Sequence, residues 1–60
     1  MVTISFETGN AALRNEDGTL DLNEVSDVIK EVADAVILGV TEGFLRDFNG
    51  NVIGWYKLED

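Results

Sequence analysis

The sequence predicts an α+β domain with the element order β-α-β-β, in which one helix packs on one face of a three-stranded sheet. Three patterns predict this class. The opening segment alternates apolar and polar residues, the central segment repeats apolar residues at helical spacing, and the closing segment places two apolar runs around a turn. Because sixty residues suffice for one domain, we expect a single domain over residues 1–60.

The first strand is predicted over residues 2–7, where Val2, Ile4 and Phe6 alternate with polar neighbours. Gly9 and Asn10 break this pattern. Residues 9–20 therefore form a long connection, and the run Ala11-Ala12-Leu13 is a candidate apolar anchor within it.

The helix is predicted over residues 22–38. Asp21 is a suitable N-cap, and Glu24 completes the spacing of a capping box. Gly39 suits the position just after the helix, where a left-handed backbone is common. The apolar residues that follow the 3.6-residue period are Val25, Ile29, Val32, Val36 and Val40.

A β-hairpin is predicted over residues 41–58, and its turn allows two registers. A type I turn followed by a bulge at Gly50 pairs Asp47 with Asn51, Leu45 with Ile53, and Gly43 with Trp55. A two-residue Asn-Gly turn would instead pair Phe44 with Trp55. We favour the first register, because it places Leu45, Ile53 and Trp55 together on one face.

This register predicts both a core and an uncovered far side of the sheet. The predicted core comprises Val2, Ile4, Phe6, Leu45, Ile53 and Trp55 on the sheet and Val25, Ile29, Val32 and Val36 on the helix. The predicted far side carries Phe44, Val52, Tyr56 and Leu58. Few monomers leave so large an apolar surface in water, so a partner is expected there. The alternative is that the 9–20 connection folds across this side. In the favoured register, Trp55→Ala should unfold the domain, and Tyr56→Asp should only weaken association.

Composition excludes several classes of function. Twelve acidic against four basic residues give a net charge of −8, which disfavours direct contact with nucleic acid or anionic membrane. The longest apolar run, residues 35–40, is too short to span a bilayer. The first residues carry no basic segment of a signal peptide, so we expect a cytoplasmic protein. So small a chain usually needs disulfides, a metal or an oligomer for stability, and this one has neither Cys nor His. A homodimer is therefore expected.

Nothing in the sequence favours catalysis. The chain contains neither His nor Cys, which removes the usual general base, thiol nucleophile and transition-metal ligands. Neither Ser5 nor Ser26 has a visible base, and no glycine-rich phosphate-binding loop is present. We therefore expect a protein that is not an enzyme and that needs no cofactor.

One string resembles part of a calcium-binding loop. The residues at ligand spacing are Asn15, Asp17, Thr19, Asp21 and Glu24. Gly18 stands where the sharp turn needs glycine, but Leu13 occupies the position of the first carboxylate, and no entering helix is predicted. A turn and a capping box explain the same residues. A calcium-binding module is therefore the alternative function.

Residues 4–12 and 43–54 are similar to a group of small uncharacterised proteins encoded by bacteriophages and prophages. The shared features are an opening strand, a helix with a Val-Ala-Asp-like segment (residues 32–34) and a Leu-x-Asp-x-Asn-Gly-Asn turn (residues 45–51). The resemblance covers most of the chain and implies a fold, but no site residues, because the group has no assigned activity. The chain departs from the group's pattern at residues 20–23.

The resemblance implies a protein that acts in a bacterial host cytoplasm, and a small acidic chain of this kind suggests interference with a host defence protein. Such inhibitors present carboxylates where their target expects phosphate. Four carboxylates form a stripe on the predicted helix at spacings of three and four, namely Glu24, Asp27, Glu31 and Asp34. The alternative is an ordinary solvated helix face. The leading hypothesis is an interaction module, dimeric through the far side of the sheet, that binds a host protein.

Overall fold

The computed structural model describes residues 1–60 and has the predicted α+β architecture. Its elements are β1 (Val2–Phe6), a short 3-10 turn (Ala11–Leu13), α1 (Leu22–Ile37), β2 (Glu42–Arg46) and β3 (Val52–Leu58). The three strands form one antiparallel sheet in the order β1-β3-β2. The last strand is thus central, and each of the other two has a free edge.

Both ends of α1 are closed by local hydrogen bonds. The Asp21 Oδ1 accepts from the backbone N–H groups of Asn23 (3.1 Å) and Glu24 (3.3 Å). The backbone N–H of Asp21 donates to the Leu13 carbonyl (2.9 Å), so the Glu24 side chain does not complete the capping box. At the other end Gly39 has a φ of 86° and occupies the predicted left-handed position.

The hairpin turn forms as predicted, but the strands beyond it do not pair as predicted. The Asp47 N–H donates to the Asn51 carbonyl (3.0 Å), and Gly50 has a φ of 84°, as the bulged type I turn requires. The register then shifts between Leu45 and Arg46. Leu45 pairs with Gly54 and not with Ile53, which is the additional residue of a second bulge.

The shift exchanges the sides of the sheet on which the two aromatic residues of β3, Trp55 and Tyr56, lie. We call the side of the sheet that packs against α1 the inner face and the opposite side the outer face. The predicted pair of Gly43 with Trp55 is wrong, because Gly43 pairs with Tyr56 and Phe44 with Trp55. The Tyr56 side chain lies on the inner face and is 4% exposed, whereas Trp55 is 45% exposed. One inserted residue is enough to reverse the faces, since side chains alternate along a strand.

The core lies between the inner face, α1 and the 3-10 turn. Its buried members are Leu13, Val28, Val32, Leu45, Ile53 and Tyr56, with Phe6, Ala35, Val36 and Leu58 packed against them. Val2 and Ile4, which we expected in the core, are 63% and 40% exposed, and the helix residue Ile29 is also largely exposed. The reason is that α1 packs against β2 and the 3-10 turn and leaves β1 largely uncovered.

The 9–20 connection lies on the helix side of the sheet. Leu13 is 1% exposed and occupies the centre of the core, which confirms the predicted apolar anchor. The connection therefore does not cover the outer face, and the predicted one-sided packing of the sheet is found.

Candidate functional site

The outer face carries the most exposed apolar surface of the sheet. Phe44 is 73% exposed and lies directly opposite Trp55, so the two rings are cross-strand neighbours. Val52, which is 52% exposed, pairs with Arg46 near the turn. Phe44, Trp55 and Val52 together define the aromatic patch.

A shallow groove of about 310 Å³ lies on the aromatic patch. It is lined by Glu42, Gly43, Phe44, Trp55, Tyr56 and Lys57. Glu42 and Lys57 pair across the strands, and the Lys57 Nζ is 3.6 Å from the Glu59 carboxylate. Such a groove has aromatic walls and a charged end, and its volume is near the lower limit of about 300 Å³ for small-molecule pockets. It suits an inserted apolar side chain.

Strand β1 adds hydroxyl groups beside the patch. Ser5 pairs with Trp55, and Thr3 pairs with Lys57, so both hydroxyls lie on the outer face. An apolar centre with a polar margin is the usual composition of a protein-binding surface.

The structure separates the residues that we expected in one interface. Phe44 and Val52 lie on the outer face as predicted, but the placement of Tyr56 and Leu58 there is wrong, because both lie on the inner face against the core. Trp55, which we expected in the core, belongs to the patch instead. Gly54 was one available signal, since a glycine inside a strand pattern often marks a bulge. The alternative register with the two-residue turn was another, because it pairs Phe44 with Trp55 as found.

The predicted acidic stripe lies on the helix side of the molecule. Its residues are Glu24, which is half-buried, and the exposed Asp27, Glu31 and Asp34. Glu24, Asp27 and Glu31 line a smaller groove of about 130 Å³ between α1 and the hairpin turn, together with Arg46 and Phe48. The stripe and the aromatic patch are therefore on different sides of the sheet and do not form one continuous surface.

The one buried charged side chain, Asp47, has a structural role. It is 7% exposed and accepts hydrogen bonds from the backbone N–H groups of Asn49 (2.9 Å) and Asn51 (3.0 Å) and from the side-chain amides of Asn51 (3.3 Å) and Asn10 (3.2 Å). Burial alone would raise the pKa of Asp47, but these hydrogen bonds outweigh it and the pKa is lowered. The side chain thus joins the 9–20 connection to the hairpin turn.

Four of the five residues of the calcium-like string, all except Glu24, use their side chains in local hydrogen bonds. The Asp17 Oδ1 accepts from the Thr19 hydroxyl (2.6 Å) and backbone N–H (3.0 Å), and these bonds lower the pKa of Asp17. The Asn15 Nδ2 donates to the Thr19 Oγ1 (3.0 Å), while Asp21 caps α1. No three acidic side chains converge as a metal site. Calcium binding by Asn15, Asp17, Thr19, Asp21 and Glu24 stays a prediction from spacing.

Comparisons with protein-family models, curated proteins and solved structures find no match for this chain. The similarity to small phage proteins therefore stays a prediction from the sequence. None of the helices is long and apolar enough to cross a membrane.

Proposed function

We propose that this chain is a protein-interaction module that binds its partner through the aromatic patch. The single observation that carries the proposal is the pairing of a largely exposed Phe44 with a half-exposed Trp55 on a face that no other part of the chain covers. Rings of this kind bury a large area when a partner excludes water, and Trp is among the residues enriched in binding hot spots.

The chemistry of the site favours binding over catalysis. The only buried carboxylate is that of Asp47, and its oxygens accept four hydrogen bonds from residues of the hairpin turn and from Asn10. A general acid or base needs a free proton position and access to a substrate. The groove on the patch is also lined by Glu42 and Lys57, which suit the charged margin of an interface.

The partner that fits the patch is a protein with an apolar side chain that can enter the groove. The similarity to phage proteins makes a bacterial host protein, met in the host cytoplasm, the partner that we propose. The acidic stripe supports this proposal in a second way. Its negative field can speed association with a basic protein even though the stripe does not contact that protein.

The test compares three immobilised baits in a bacterial lysate: the wild-type chain, Phe44→Ser and Leu22→Ser. Leu22 is the matched control, because it is also apolar and 72% exposed but lies on α1, on the other side of the sheet. A protein retained by wild type and Leu22→Ser and lost from Phe44→Ser supports the proposal. Equal retention by all three baits contradicts it, as does a partner lost only from Leu22→Ser.

Trp55 provides a direct readout once a partner has been identified. It is the only Trp of the chain, and its half-exposed ring lies in the patch. Burial of the ring against a partner should shift its fluorescence emission to shorter wavelength. A complex that forms with no change in this emission would place the contact elsewhere.

A further inference from the structure

The backbone of β1 presents unused hydrogen-bonding groups along one edge of the sheet. In an antiparallel pair alternate residues bond to the neighbouring strand, and the residues between them point away. The Glu7 N–H donates to the Ile53 carbonyl, and the Glu59 N–H donates to the Met1 carbonyl (both 2.8 Å), so the odd-numbered residues face β3. The N–H and C=O groups of Val2, Ile4 and Phe6 therefore point to the free edge.

This edge has none of the features that usually prevent pairing with another chain. Edge strands are commonly protected by charged side chains, proline or a bulge. Strand β1 has none of these, since its sequence is Val-Thr-Ile-Ser-Phe and its pairing with β3 is regular. The other edge strand, β2, begins with Glu42, ends with Arg46 and adjoins the bulge.

We propose that β1 pairs antiparallel with β1 of a second copy of this chain, with Ile4 opposite Ile4 across a two-fold axis. In this register Val2 lies opposite Phe6, and Thr3 lies opposite Ser5. The outward-pointing residues of one copy then meet those of the other, and each such pair exchanges both of its backbone hydrogen bonds. The two sheets become one continuous sheet.

The side chains of β1 are self-complementary in this register. Val2, Ile4 and Phe6 point to the inner face, where α1 leaves Val2 and Ile4 exposed. Pairing would bring Val2 against Phe6 and Ile4 against Ile4, and would so remove apolar surface from water. On the outer face the hydroxyls of Thr3 and Ser5 come into hydrogen-bonding range, a favourable cross-strand pair.

The charge distribution permits this contact although each copy carries a net charge of −8. None of the acidic residues lies in β1, and the acidic stripe is on α1, which packs over β2 and not over β1. The two helices are then separated by the four strands that lie nearest the two-fold axis. Because neighbouring strands are spaced about 4.8 Å apart, the width of these four strands exceeds the Debye length of about 8 Å at physiological ionic strength. The repulsion between the two helices is therefore screened.

The inference goes beyond the proposed function, because it assigns a second surface to a second partner. It also moves the expected homodimer from the outer face to the edge of the sheet. The aromatic patch of each copy stays open for a different protein.

A cysteine scan tests both the contact and its register, since the chain contains no Cys. In the proposed pairing only residue 4 faces its own counterpart, with a Cα separation of about 5.5 Å, which a disulfide can span. Oxidised glutathione should convert Ile4→Cys to a covalent dimer. Thr3→Cys and Ser5→Cys should do so only when mixed with each other, and Phe44→Cys, on the outer face, should form no covalent dimer.

Charge pairing supplies an independent test in the reduced protein. By sedimentation equilibrium, wild type should dimerise, and Ile4→Lys or Ile4→Glu should each raise the dissociation constant at least about tenfold, because like charges lie directly opposite. An equimolar mixture of the two variants should restore the dimer. Circular dichroism checks that both fold.

Three results would overturn the proposal: a wild-type chain that stays monomeric at high micromolar concentration, a mixture that fails to associate, or a Phe44→Cys protein that cross-links faster than Ile4→Cys. The first two results do not bear on capture of a different protein by the aromatic patch. The third would place a second copy on the patch, and the lysate test with Phe44→Ser then shows separately whether a different protein binds there.

Discussion

The contact between Gly43 and Tyr56 fixes which side of β3 faces the core. A Cβ placed on Gly43 would lie 3.1 Å from the Tyr56 ring, so the ring lies over the glycine backbone. The Tyr56 hydroxyl donates to the Val40 carbonyl (3.1 Å), which satisfies a polar group that burial would otherwise leave unpaired. These contacts have no counterpart for Trp55, which lies on the other face.

Truncating the two rings should therefore have effects opposite to those that the sequence pattern predicts. Tyr56→Ala should cost about 3–5 kcal/mol, the usual range for a buried aromatic ring and close to the whole stability of a small domain. Trp55→Ala should cost at most about 2 kcal/mol, because the ring is only half-buried. Urea denaturation followed by circular dichroism measures both. A folded Tyr56→Ala beside an unfolded Trp55→Ala would restore the predicted register.

The carboxylate of Asp47 should make stability depend on pH. The pKa of Asp47 is lowered in the folded state, so the carboxylate stabilises the fold fully above the unfolded-state pKa of about 3.9. This stabilisation is lost as the pH falls through the lower folded-state pKa. Melting temperatures measured from pH 6 to pH 2 should therefore decrease below about pH 3.9. Asp47→Asn keeps the shape but removes the titration, so its profile should be flatter. Parallel profiles for the two proteins would contradict this role.

Residue-scale features were predictable where the cause is local. Asp21 and Gly39 lie where a side-chain oxygen or a left-handed backbone closes a helix end, and neighbouring residues decide both positions. The burial of Asp47 was not predictable, because one of its donors, Asn10, is distant in sequence and reaches it only in the folded chain.

At the scale of elements, Gly54 controls how closely β1 approaches β3. A Cβ at this position would overlap the Ser5 carbonyl oxygen and lie 2.5 Å from the Phe6 Cα. These are backbone atoms, which cannot move aside as a flexible side chain can. The approach of β1 therefore requires glycine here, and the same glycine adjoins the bulge at Ile53.

Gly54→Ala should consequently destabilise the sheet by about 1–3 kcal/mol or more, as overpacking does. The matched control is Gly9→Ala, since a Cβ at Gly9 meets nothing within 4 Å and its backbone is not left-handed. We expect the control to melt within a few degrees of wild type. Thermal melts followed by circular dichroism compare the variants, and equal melting temperatures would show that β1 does not pack so closely.

The bounds of the elements were predictable to within a few residues, whereas their pairing was not. Hydrophobic period and turn residues act within one segment, so strand β1 and helix α1 begin where the pattern places them. The bulge at Ile53 depends on how β3 meets two neighbours at once, and the helix position over β2 depends on Leu13. Those long-range contacts determine which side chains lie on the outer face.

At the scale of the whole molecule, the shape explains why so much apolar surface stays exposed. The chain extends over 40 × 18 × 15 Å, and only eight of its sixty residues are buried. Small domains gain little from their cores, so further burial must come from partners. The free β1 edge and the aromatic patch are the two surfaces where such burial is available.

The excess of negative charge should make the fold more stable in salt. Four of the twelve carboxylates lie in the acidic stripe of α1, and the one ion pair of the structure, between Lys57 and Glu59, is elsewhere. Their mutual repulsion is screened when the Debye length falls from about 30 Å at 0.01 M salt to about 3 Å at 1 M. The melting temperature should therefore rise by several degrees over this range of sodium chloride.

Two matched variants separate this effect from association. Ile4→Lys, designed to be monomeric, should keep most of the rise with salt, because the repulsion acts within one copy. The triple variant Asp27→Asn, Glu31→Gln, Asp34→Asn should melt higher than wild type at low salt and gain less from added salt. If the melting temperature of the triple variant rose with salt as much as that of wild type, general salting-out of apolar surface would explain the rise. Repulsion within the acidic stripe would then not destabilise the fold.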